Sequence, residues 1–527
     1  MSRYHVNFIL HAHLPYVRHI DYPRFLEEDW LYESLNESYI PLFRKLDRLE
    51  KDNVSFHLTI CFSPTLLTML EDEKLKERFK NYMDLHIDLG RKEVERLSAD
   101  EEKLLLARKY LKDLEENWAF YAENNLSLIP LIKRMRDNGH IELMTTAATH
   151  AYLPLYREYE TAVRAQIELG ISTFRRIFGF DADGFWLPEC GYYPGLDSIL
   201  SQYGIKYCQL PSHSVISSRD KSIGAGYMPV TMPSGLNGFV RDWQITSLIW
   251  SDKSGYPADE DYREFYRDIG YDLPLSYIAP YIHEPEVRVF TGFKYYAITG
   301  KNDEKRVYNL DKVKNKVLLH VNNYIYHIKR KALAINALGI DEPVFNLCYD
   351  AELFGHRWYE GLDFLEEFLR RISEDEQADL TLPSSVLSDN TIRKESLFIN
   401  DCSWGLGGYS DVWLDGSNRW IYRHIHEAIE RMEELTRRFP DQGTLKKRFL
   451  NQASREVLLA MSSDWAYIMH DNTSVTYAEK RLRNHLGSFN VVYSSMCKNS
   501  VNTEWLIKAE KRNLIFPEID YRVFKKN

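Results

Sequence analysis

Short apolar runs alternate with longer amphipathic segments along the first three quarters of the chain. The segments between the runs repeat their apolar positions every three or four residues, as helices do. Continuous apolar runs of this length are typical of strands buried on both faces of a parallel sheet. Strands separated by helices predict an α/β fold, and seven or eight of them predict a parallel barrel. The predicted strands cover residues 5–10, 54–60, 141–148, 183–188, 206–211, 287–293, 343–350 and 378–384.

Two segments do not follow this alternation. Residues 64–139 are too long for one crossover between strands and are charged and helical in pattern, which predicts a helical insertion. After about residue 410 no further strands are predicted. The helical pattern there places on one face Ile421, Ile425, Ala428, Met432 and Leu435. We therefore expect a barrel from residues 1–63 and 140–409, an insertion at 64–139, and an all-helical domain at 410–527 that packs on the barrel.

Composition narrows the class of protein. The 527 residues carry a net charge of −10 and no long basic run, so nucleic acid is not an expected partner. The N-terminal apolar run is too short and too rich in histidine for a signal peptide, and no apolar stretch could cross a membrane. Six scattered cysteines without a CxxC pair indicate reduced thiols. We expect a cytoplasmic protein without a membrane partner, and the sequence does not indicate an oligomeric state.

The strand ends of the predicted barrel carry carboxylates and histidines. Barrel enzymes place their active sites where the carboxyl ends of the strands meet their loops, so these side chains should share one rim. The high content of Tyr, Phe and Trp (35, 25 and 11 residues) is compatible with a carbohydrate ligand. The rim candidates are His11, His13, His150, Glu189, Asp350, Glu352 and His356.

Two carboxylates across an aromatic cleft are what glycoside cleavage requires. Glu189 follows the predicted strand in "GFWLPECGYYPG", and Asp350 ends the strand in "FNLCYD". The next helix is expected to begin near Tyr359, which leaves Asp350 free at the rim. Glu352, two residues further on, is a rival for the second carboxylate.

The histidines allow a different interpretation. His11 and His13 point the same way from an extended chain, so together with His150 or Asp350 they could hold a metal ion. Such a site would suit a metal-dependent carbohydrate deacetylase or mannosidase. Neutral histidines that hydrogen-bond to sugar hydroxyls are the simpler role. A glucan-binding protein built on an inactive barrel is a third possibility, which the presence of both carboxylates disfavours.

Five stretches occur in the order of the motif regions of glycoside hydrolase family 57, and the chain resembles that family over nearly its whole length. They are "HAHLPYV", "THAYLPL", "GFWLPECGY", "YDAELFGHRWYEG" and "SSDWAYIM". Residues 403–418 and 254–270 also resemble the branch that contains α-amylases and 1,4-α-glucan branching enzymes. The fifth motif lies in the helical C-terminal part, so the resemblance implies that this part contributes to the cleft.

The resemblance implies a distorted (β/α)7 barrel and a retaining mechanism without a metal or other cofactor. By motif, Glu189 resembles the nucleophile and Asp350 the general acid/base. The substrate implied is an α-glucan such as amylose, starch, glycogen or maltooligosaccharides. The residues expected to bind it are His11, His13, His150, Trp30, Trp186, His356, Trp404, Trp413 and Asp464, of which Trp30, Trp404 and Trp413 could equally be core residues.

One loop departs from the branching-enzyme pattern. Those enzymes carry a flexible loop whose tyrosine is thought to shield the glycosyl intermediate from water. Here the segment 218–235 is short, and the expected position holds Ile223 or Gly224. Tyr227 is near but fits the strand that follows. We therefore expect mainly α-1,4 hydrolysis with some transfer, with the branching reaction as the alternative.

Overall fold

A computed structural model describes residues 3–20, 22–251, 253–284, 286–300 and 304–526. In these ranges the strands form one ten-stranded sheet. They are β1 (Tyr4–Ala12), β2 (Leu58–Phe62), β3 (Ile141–Thr146), β4 (Gly184–Trp186), β5 (Tyr207–Leu210), β6 (Val230–Thr231), β7 (Asn237–Val240), β8 (Val344–Asp350), β9 (Ala378–Leu380) and β10 (Glu395–Ser396).

Seven of the strands close into a parallel barrel. The order of hydrogen-bonded neighbours is β7-β5-β4-β3-β2-β1-β8, and every pair in this path is parallel. A parallel bridge between Arg241 and Asn346 joins β7 to β8, and the Asp242 N–H donates to the Asn346 carbonyl at 3.0 Å. The predicted (β/α)7-type barrel is therefore confirmed, with β9 pairing at the edge of β1 and β6 running antiparallel to β7.

The prediction of a strand at 287–293 is wrong. The backbone N–H groups of Thr291 and Gly292 donate to the carboxylate of Asp268 instead of to a neighbouring strand. Phe293 is buried against helices. The sheet position is taken by β7, whose four residues include a glycine and are too short for a periodicity argument.

The helices are distributed as the hydrophobic pattern predicts. Four lie between β2 and β3, and five follow residue 419. The exact limits of the predicted domains stay a prediction. The helices are α1 (Glu28–Ser34), α2 (Ile40–Lys51), α3 (Pro64–Leu70), α4 (Glu73–Arg96), α5 (Glu101–Glu123), α6 (Ile129–Asp137), α7 (Glu160–Phe178), α8 (Leu196–Gln202), α9 (Trp243–Trp250), α10 (Ile269–Asp272), α11 (Leu275–Ile278), α12 (Leu310–Asn336), α13 (Gly361–Ser373), α14 (Pro383–Ser388), α15 (Trp420–Arg438), α16 (Thr444–Ala460), α17 (Ser463–Asp471), α18 (Val475–Cys497) and α19 (Thr503–Arg512).

The C-terminal helices are joined to the barrel at the carboxyl end of β3. The Thr149 hydroxyl donates to the Leu458 carbonyl, and the Ser463 N–H donates to the His150 carbonyl at 3.1 Å. These bonds place the start of α17 directly over the barrel rim. None of the helices in the described ranges is both long and apolar enough to cross a membrane.

Candidate active site

The carboxyl ends of β1 and β8 bring the first pair of predicted residues together. His11 and Asp350 are register partners in the two strands. Nδ1 of His11 lies 3.3 Å from Oδ1 of Asp350, and the imidazole is buried while the carboxylate is partly exposed. Pairing of parallel strands thus fixes one catalytic candidate beside a histidine that is 339 residues away in the chain.

Glu189 stands on a strained turn immediately after β4. Its backbone has φ 61° and ψ 22°, and Cys190 also has a positive φ of 49°. A left-handed conformation at a residue other than glycine costs about 1–3 kcal/mol and is frequent at active sites. The Trp404 N–H donates to the Glu189 carbonyl at 3.0 Å, which helps to hold the turn.

The Glu189 carboxylate is held by two donors from distant parts of the chain. Nε1–H of Trp404 donates to Oε2 at 2.9 Å, and the Ser463 hydroxyl donates to Oε1 at 3.2 Å. Burial raises the pKa of Glu189 to about 7; the Trp404 hydrogen bond opposes the increase and the negative charge of Asp350 adds to it. At neutral pH the group is therefore poised between its two protonation states.

Three histidine rings form a stack beside Glu189. The rings of His13 and His150 are 3.9 Å apart and nearly parallel, and His11 stacks on Trp186 at 4.7 Å. Nε2 of His13 lies 3.1 Å from Oδ1 of Asp464, the second residue of α17. The stack therefore joins the barrel rim to the C-terminal helices.

The three histidines differ in charge. Burial lowers the pKa of His11, and burial together with the neighbouring imidazoles lowers the pKa of His150 well below its usual value. Burial also acts against a charge on His13, but the Asp464 carboxylate outweighs it and raises the pKa of His13. The stack thus presents one imidazole that favours the cationic form and two that favour the neutral form.

Each ring of the stack has one buried nitrogen without a hydrogen-bond partner in the described ranges. These nitrogens are Nε2 of His11, Nδ1 of His13 and Nε2 of His150. Nδ1 of His150 lies 2.9 Å from the Ser463 hydroxyl, which itself donates to Glu189, so Nδ1–H is the donor and Nε2 is left as an acceptor. Nε2 of His150 therefore keeps an unused lone pair, and in this structure it is buried.

The same histidines do not make a metal site in this arrangement. Within the part of the chain that the structure describes, no group of three or more His, Cys, Asp or Glu side chains has the geometry to hold an ion. His11 and His13 each have one nitrogen in contact with a carboxylate, that of Asp350 and that of Asp464.

The four candidate tryptophans occupy different environments. Trp404 is partly buried and contacts Glu189 directly, whereas Trp30 is partly buried and packs its edge on Tyr477 at 5.4 Å. Trp186 is fully buried, and Trp413 is only 2% exposed behind a stacked tyrosine ring. A direct sugar contact by these two buried rings stays a prediction, and in this structure they support the wall of the cleft.

His356 lies apart from the histidine stack. Its Nδ1 is 2.6 Å from Oε2 of Glu37, and its ring packs edge-on against Phe265. Glu37 belongs to a π-helical turn, Leu35–Tyr39, between α1 and α2. The predicted role of His356 in substrate binding is therefore not supported by a contact with either catalytic candidate.

Glu352, the rival carboxylate, is held from two sides. Its Oε1 accepts from the backbone N–H of His13 at 3.2 Å and from the hydroxyl of Tyr39, which ends the π-helical turn. Burial and the neighbouring Asp350 raise the pKa of Glu352 to about 7. Its contacts suit a residue that positions His13.

Sequence reasoning missed three side chains at this site. Ser463 bridges His150 and Glu189. The guanidinium of Arg241 lies 5.4 Å from the ring of Trp404. Tyr467 is one helical turn after Asp464 on α17, its side chain is 49% exposed, and burial together with nearby charges that include Glu189 and Asp350 raises its pKa. Tyr467 stands in the motif "SSDWAYIM" and three residues after Asp464, and these two signals could have indicated it beforehand.

Tyr227 cannot shield the intermediate in this structure. Its carbonyl accepts from the N–H of Val344, at the amino end of β8, and its hydroxyl donates to Asp242 at 3.0 Å. Val344 and Asp350 are six residues apart on β8, or roughly 20 Å. The backbone of Tyr227 therefore lies at the amino end of β8, and its hydroxyl is occupied by Asp242, which follows the carboxyl end of β7.

Comparison with known proteins agrees with this geometry. The model of glycosyl hydrolase family 57 matches residues 7–398, and a second model, that of the 1,4-alpha-glucan branching enzyme C-terminal region, matches residues 424–524. A 1,4-alpha-glucan branching enzyme of Thermococcus kodakarensis is 28% identical over 517 residues, which are 92% of this chain and 72% of that protein.

Solved structures extend the likeness to the whole fold. The alpha-amylase AmyC of Thermotoga maritima is 37% identical with a TM-score of 0.93, and the match covers all of both chains. A branching enzyme of Pyrococcus horikoshii is 27% identical with a TM-score of 0.89, covering 100% of this chain and 97% of the other. With the family model matched over most of its length, the chain belongs to glycosyl hydrolase family 57.

Proposed function

We propose that the protein is a retaining enzyme that acts on α-1,4-glucans, with Glu189 as nucleophile and Asp350 as general acid/base. Family membership supports an enzyme of glycoside chemistry. The observation that carries the residue assignment is the Glu189 carboxylate on its strained turn, held by Trp404 and Ser463 within the electrostatic reach of Asp350.

The first half of the reaction forms a covalent intermediate. An Oε of ionised Glu189 attacks C1 of the sugar, the bond between C1 and the glycosidic oxygen breaks, and Asp350 gives its proton to that oxygen. His11 remains beside Asp350, at 3.3 Å between Nδ1 and Oδ1, and orients the carboxyl group. Partial exposure of Asp350 leaves room for the departing glucan chain.

The second half consumes the intermediate. A water or a glucan hydroxyl loses its proton to the Asp350 carboxylate and attacks C1, and the ester bond to Glu189 breaks to restore the carboxylate. Positive charge on His13, stabilised by Asp464, favours the ionised form of Glu189 in both half-reactions. Water gives hydrolysis, and a sugar hydroxyl gives transfer.

Hydrolysis is the outcome that the loop favours. The hydroxyl of Tyr227 is bound to Asp242, and Ile223 in the short loop is exposed to solvent, so neither side chain offers a hydroxyl to cover Glu189. Water at about 55 M needs no binding site and wins unless it is excluded. We propose mainly α-1,4 hydrolysis with some transfer of glucosyl chains.

The branching reaction is the second candidate. The C-terminal residues 424–524 match the model of a branching-enzyme region, and the curated relative from Thermococcus is named as such an enzyme. In that case the acceptor is the 6-hydroxyl of a glucan, and a residue such as Tyr467 on α17 has to limit the access of water.

Product analysis separates the two candidates. We expect amylose incubated with the protein to gain reducing ends, and subsequent debranching to release few additional short chains. The measurement compares reducing ends before and after treatment with a debranching enzyme, and boiled protein is the control. A large release of short chains by the debranching enzyme would show that transfer to 6-hydroxyls dominates.

The pH dependence tests the role of Glu189. A nucleophile must be ionised, so the acid limb of kcat/KM should rise with pH as Glu189 ionises, with its midpoint at the pKa of about 7, while the general acid sets the opposite limb. Trp404→Phe removes the N–H that stabilises the carboxylate and should move this acid limb to higher pH. The measurement is kcat/KM for a nitrophenyl maltooligosaccharide between pH 5 and 9. An acid limb that Trp404→Phe leaves unmoved would mean that the ionisation of Glu189 does not limit the reaction.

A further inference from the structure

A second polar cavity of about 590 Å³ lies at the carboxyl ends of β5 and β7. Ser212, Val215 and Ile216 follow β5, residues 241–244 follow β7, and the short loop 218–227 closes the third side. Ligand pockets in proteins commonly have volumes of about 300–1,000 Å³. The cavity is therefore large enough for a ligand of several rings.

The mouth of this cavity carries an exposed tryptophan. Trp243 is 58% exposed at the start of α9, and its ring makes no aromatic contact within the described residues. Beside it, the side chains of Gln244 and Lys221 are exposed and have no hydrogen-bond or ion-pair partner in the described ranges. A flat ring next to unpartnered polar groups is the combination that binds the face and the hydroxyls of a sugar.

In the order of strands around the barrel, those that border the cavity come between the strands of the two catalytic candidates, and neither candidate lines the cavity itself. Around the barrel, β4 carries Glu189, β5 and β7 border the cavity, and β8 carries Asp350. The histidine stack occupies the other half of the rim, on β1 and at the end of β3. Arg241 lines the cavity and also lies over the ring of Trp404, which binds Glu189.

Most of the charged side chains that line the cavity already have a partner within the protein. Lys331 pairs with Asp242 at 2.8 Å, and Arg219 stacks on Phe398 at 4.0 Å. The carboxylate of Asp220 accepts from the backbone N–H of Phe398 at 2.8 Å and faces the same space. A neutral ligand rich in hydroxyls suits this lining better than a phosphate group does.

We infer that this cavity binds the acceptor glucan, with Trp243 as the stacking platform, and that it sets the share of transfer relative to hydrolysis. The inference rests on the proposed function, because it takes the glycosyl-enzyme on Glu189 as the donor. The acceptor chain enters from the half of the rim opposite the histidine stack. Its hydroxyl loses a proton to Asp350 and forms the new bond to C1, while the ester to Glu189 breaks.

The first test is binding, which needs no turnover. In the Glu189→Gln background, Trp243→Ala and Gln244→Ala are compared with their parent by electrophoresis in native gels that contain glycogen. Loss of the stacking platform should weaken retardation, with an apparent Kd about tenfold higher for Trp243→Ala. Tyr326→Ala is the matched control, since Tyr326 is 55% exposed on α12, outside the cavity.

The second test measures the partition of the intermediate. With α-maltotriosyl fluoride as donor and maltoheptaose as acceptor, Trp243→Ala should lower the ratio of transfer to hydrolysis about tenfold, through a higher KM for the acceptor. Tyr326→Ala should keep the ratio of the wild type.

Three results would overturn the inference. They are a parent protein that glycogen does not retard, variants at both 243 and 244 that bind and partition like the parent, and quenching of Trp243 fluorescence by inorganic phosphate but not by maltoheptaose. A failure of the proposed chemistry is recognised separately, because the fluoride donor would then not be consumed at all.

Discussion

Glu189→Gln is expected to abolish turnover and, at pH 8, to make the protein harder to unfold. The amide cannot attack C1, so kcat should fall by about 10,000-fold or more. The substitution keeps the size of the side chain, and an amide oxygen can still accept the N–H of Trp404 at the 2.9 Å contact. The fold should therefore survive the change.

The stability gain follows from the raised pKa of Glu189. The folded protein keeps this proton up to a pH of about 7, whereas the ordinary value is 4.5. Between these values the native state binds more protons than the unfolded state, so the stability of the wild type falls as pH rises. The difference corresponds to about 3 kcal/mol above pH 7 and to less than about 1 kcal/mol at pH 5. Glutamine does not ionise and avoids this cost.

Thermal unfolding at pH 5 and pH 8 measures the effect. The midpoint of Glu189→Gln should exceed that of the wild type at pH 8, and the two should approach each other at pH 5. Glu142→Gln is the matched control for activity, because Glu142 is a partly buried carboxyl at the amino end of β3, bound by Ser384. A variant at 189 that keeps its activity, or that melts below the wild type at pH 8, would contradict the assignment.

Asp350→Asn is expected to keep most of its activity towards a maltosyl fluoride, whose leaving group needs little protonation. This result would separate the role of Asp350 from that of Glu189. On amylose the loss of a proton donor should reduce kcat by about 1,000-fold. A maltosyl fluoride needs little protonation to depart, so formation of the glycosyl-enzyme should slow less than about tenfold. The intermediate should then accumulate, because no base activates the water.

Mass spectrometry of the trapped intermediate gives the readout. A protein heavier by one maltosyl unit, with the label on Glu189, is the expected result for Asp350→Asn. Glu352→Gln is the comparison that decides between the two neighbouring carboxyls, since Glu352 binds the His13 N–H instead of facing the rim freely. If Glu352→Gln were the variant rescued by fluoride, the acid would be Glu352; if Glu189→Gln were rescued, the two roles would be exchanged.

Sequence reasoning located the rim residues because they follow the ends of the apolar runs that predict strands. Parallel pairing then determines that His11 lies beside Asp350, since both terminate paired strands. Family motifs added Asp464, which no local periodicity indicates. The barrel closure at Arg241 and Asn346 depends on the register of two strands that are far apart in the chain, and no short window of sequence contains that information.

The wrongly predicted strand and the missed contact of Ser463 have a common physical origin. The run at 287–293 has the composition of a strand, but the Asp268 carboxylate takes the N–H groups of Thr291 and Gly292. Ser463 reaches Glu189 across 274 residues of chain, so only the folded arrangement reveals the contact. Apolar patterns predict which segments are buried, whereas the partner of each polar group is decided by tertiary structure.

The position of α17 late in the sequence means that the active site is completed late during translation. Barrel strands that contain both carboxyls leave the ribosome before Ser463 and Asp464 have been synthesised. Until those two residues dock, Glu189 has lost one donor and His13 its counter-ion. A nascent chain therefore carries both carboxyls without a finished active site, and it should become able to attack a glucan only after α17 has been translated and has docked.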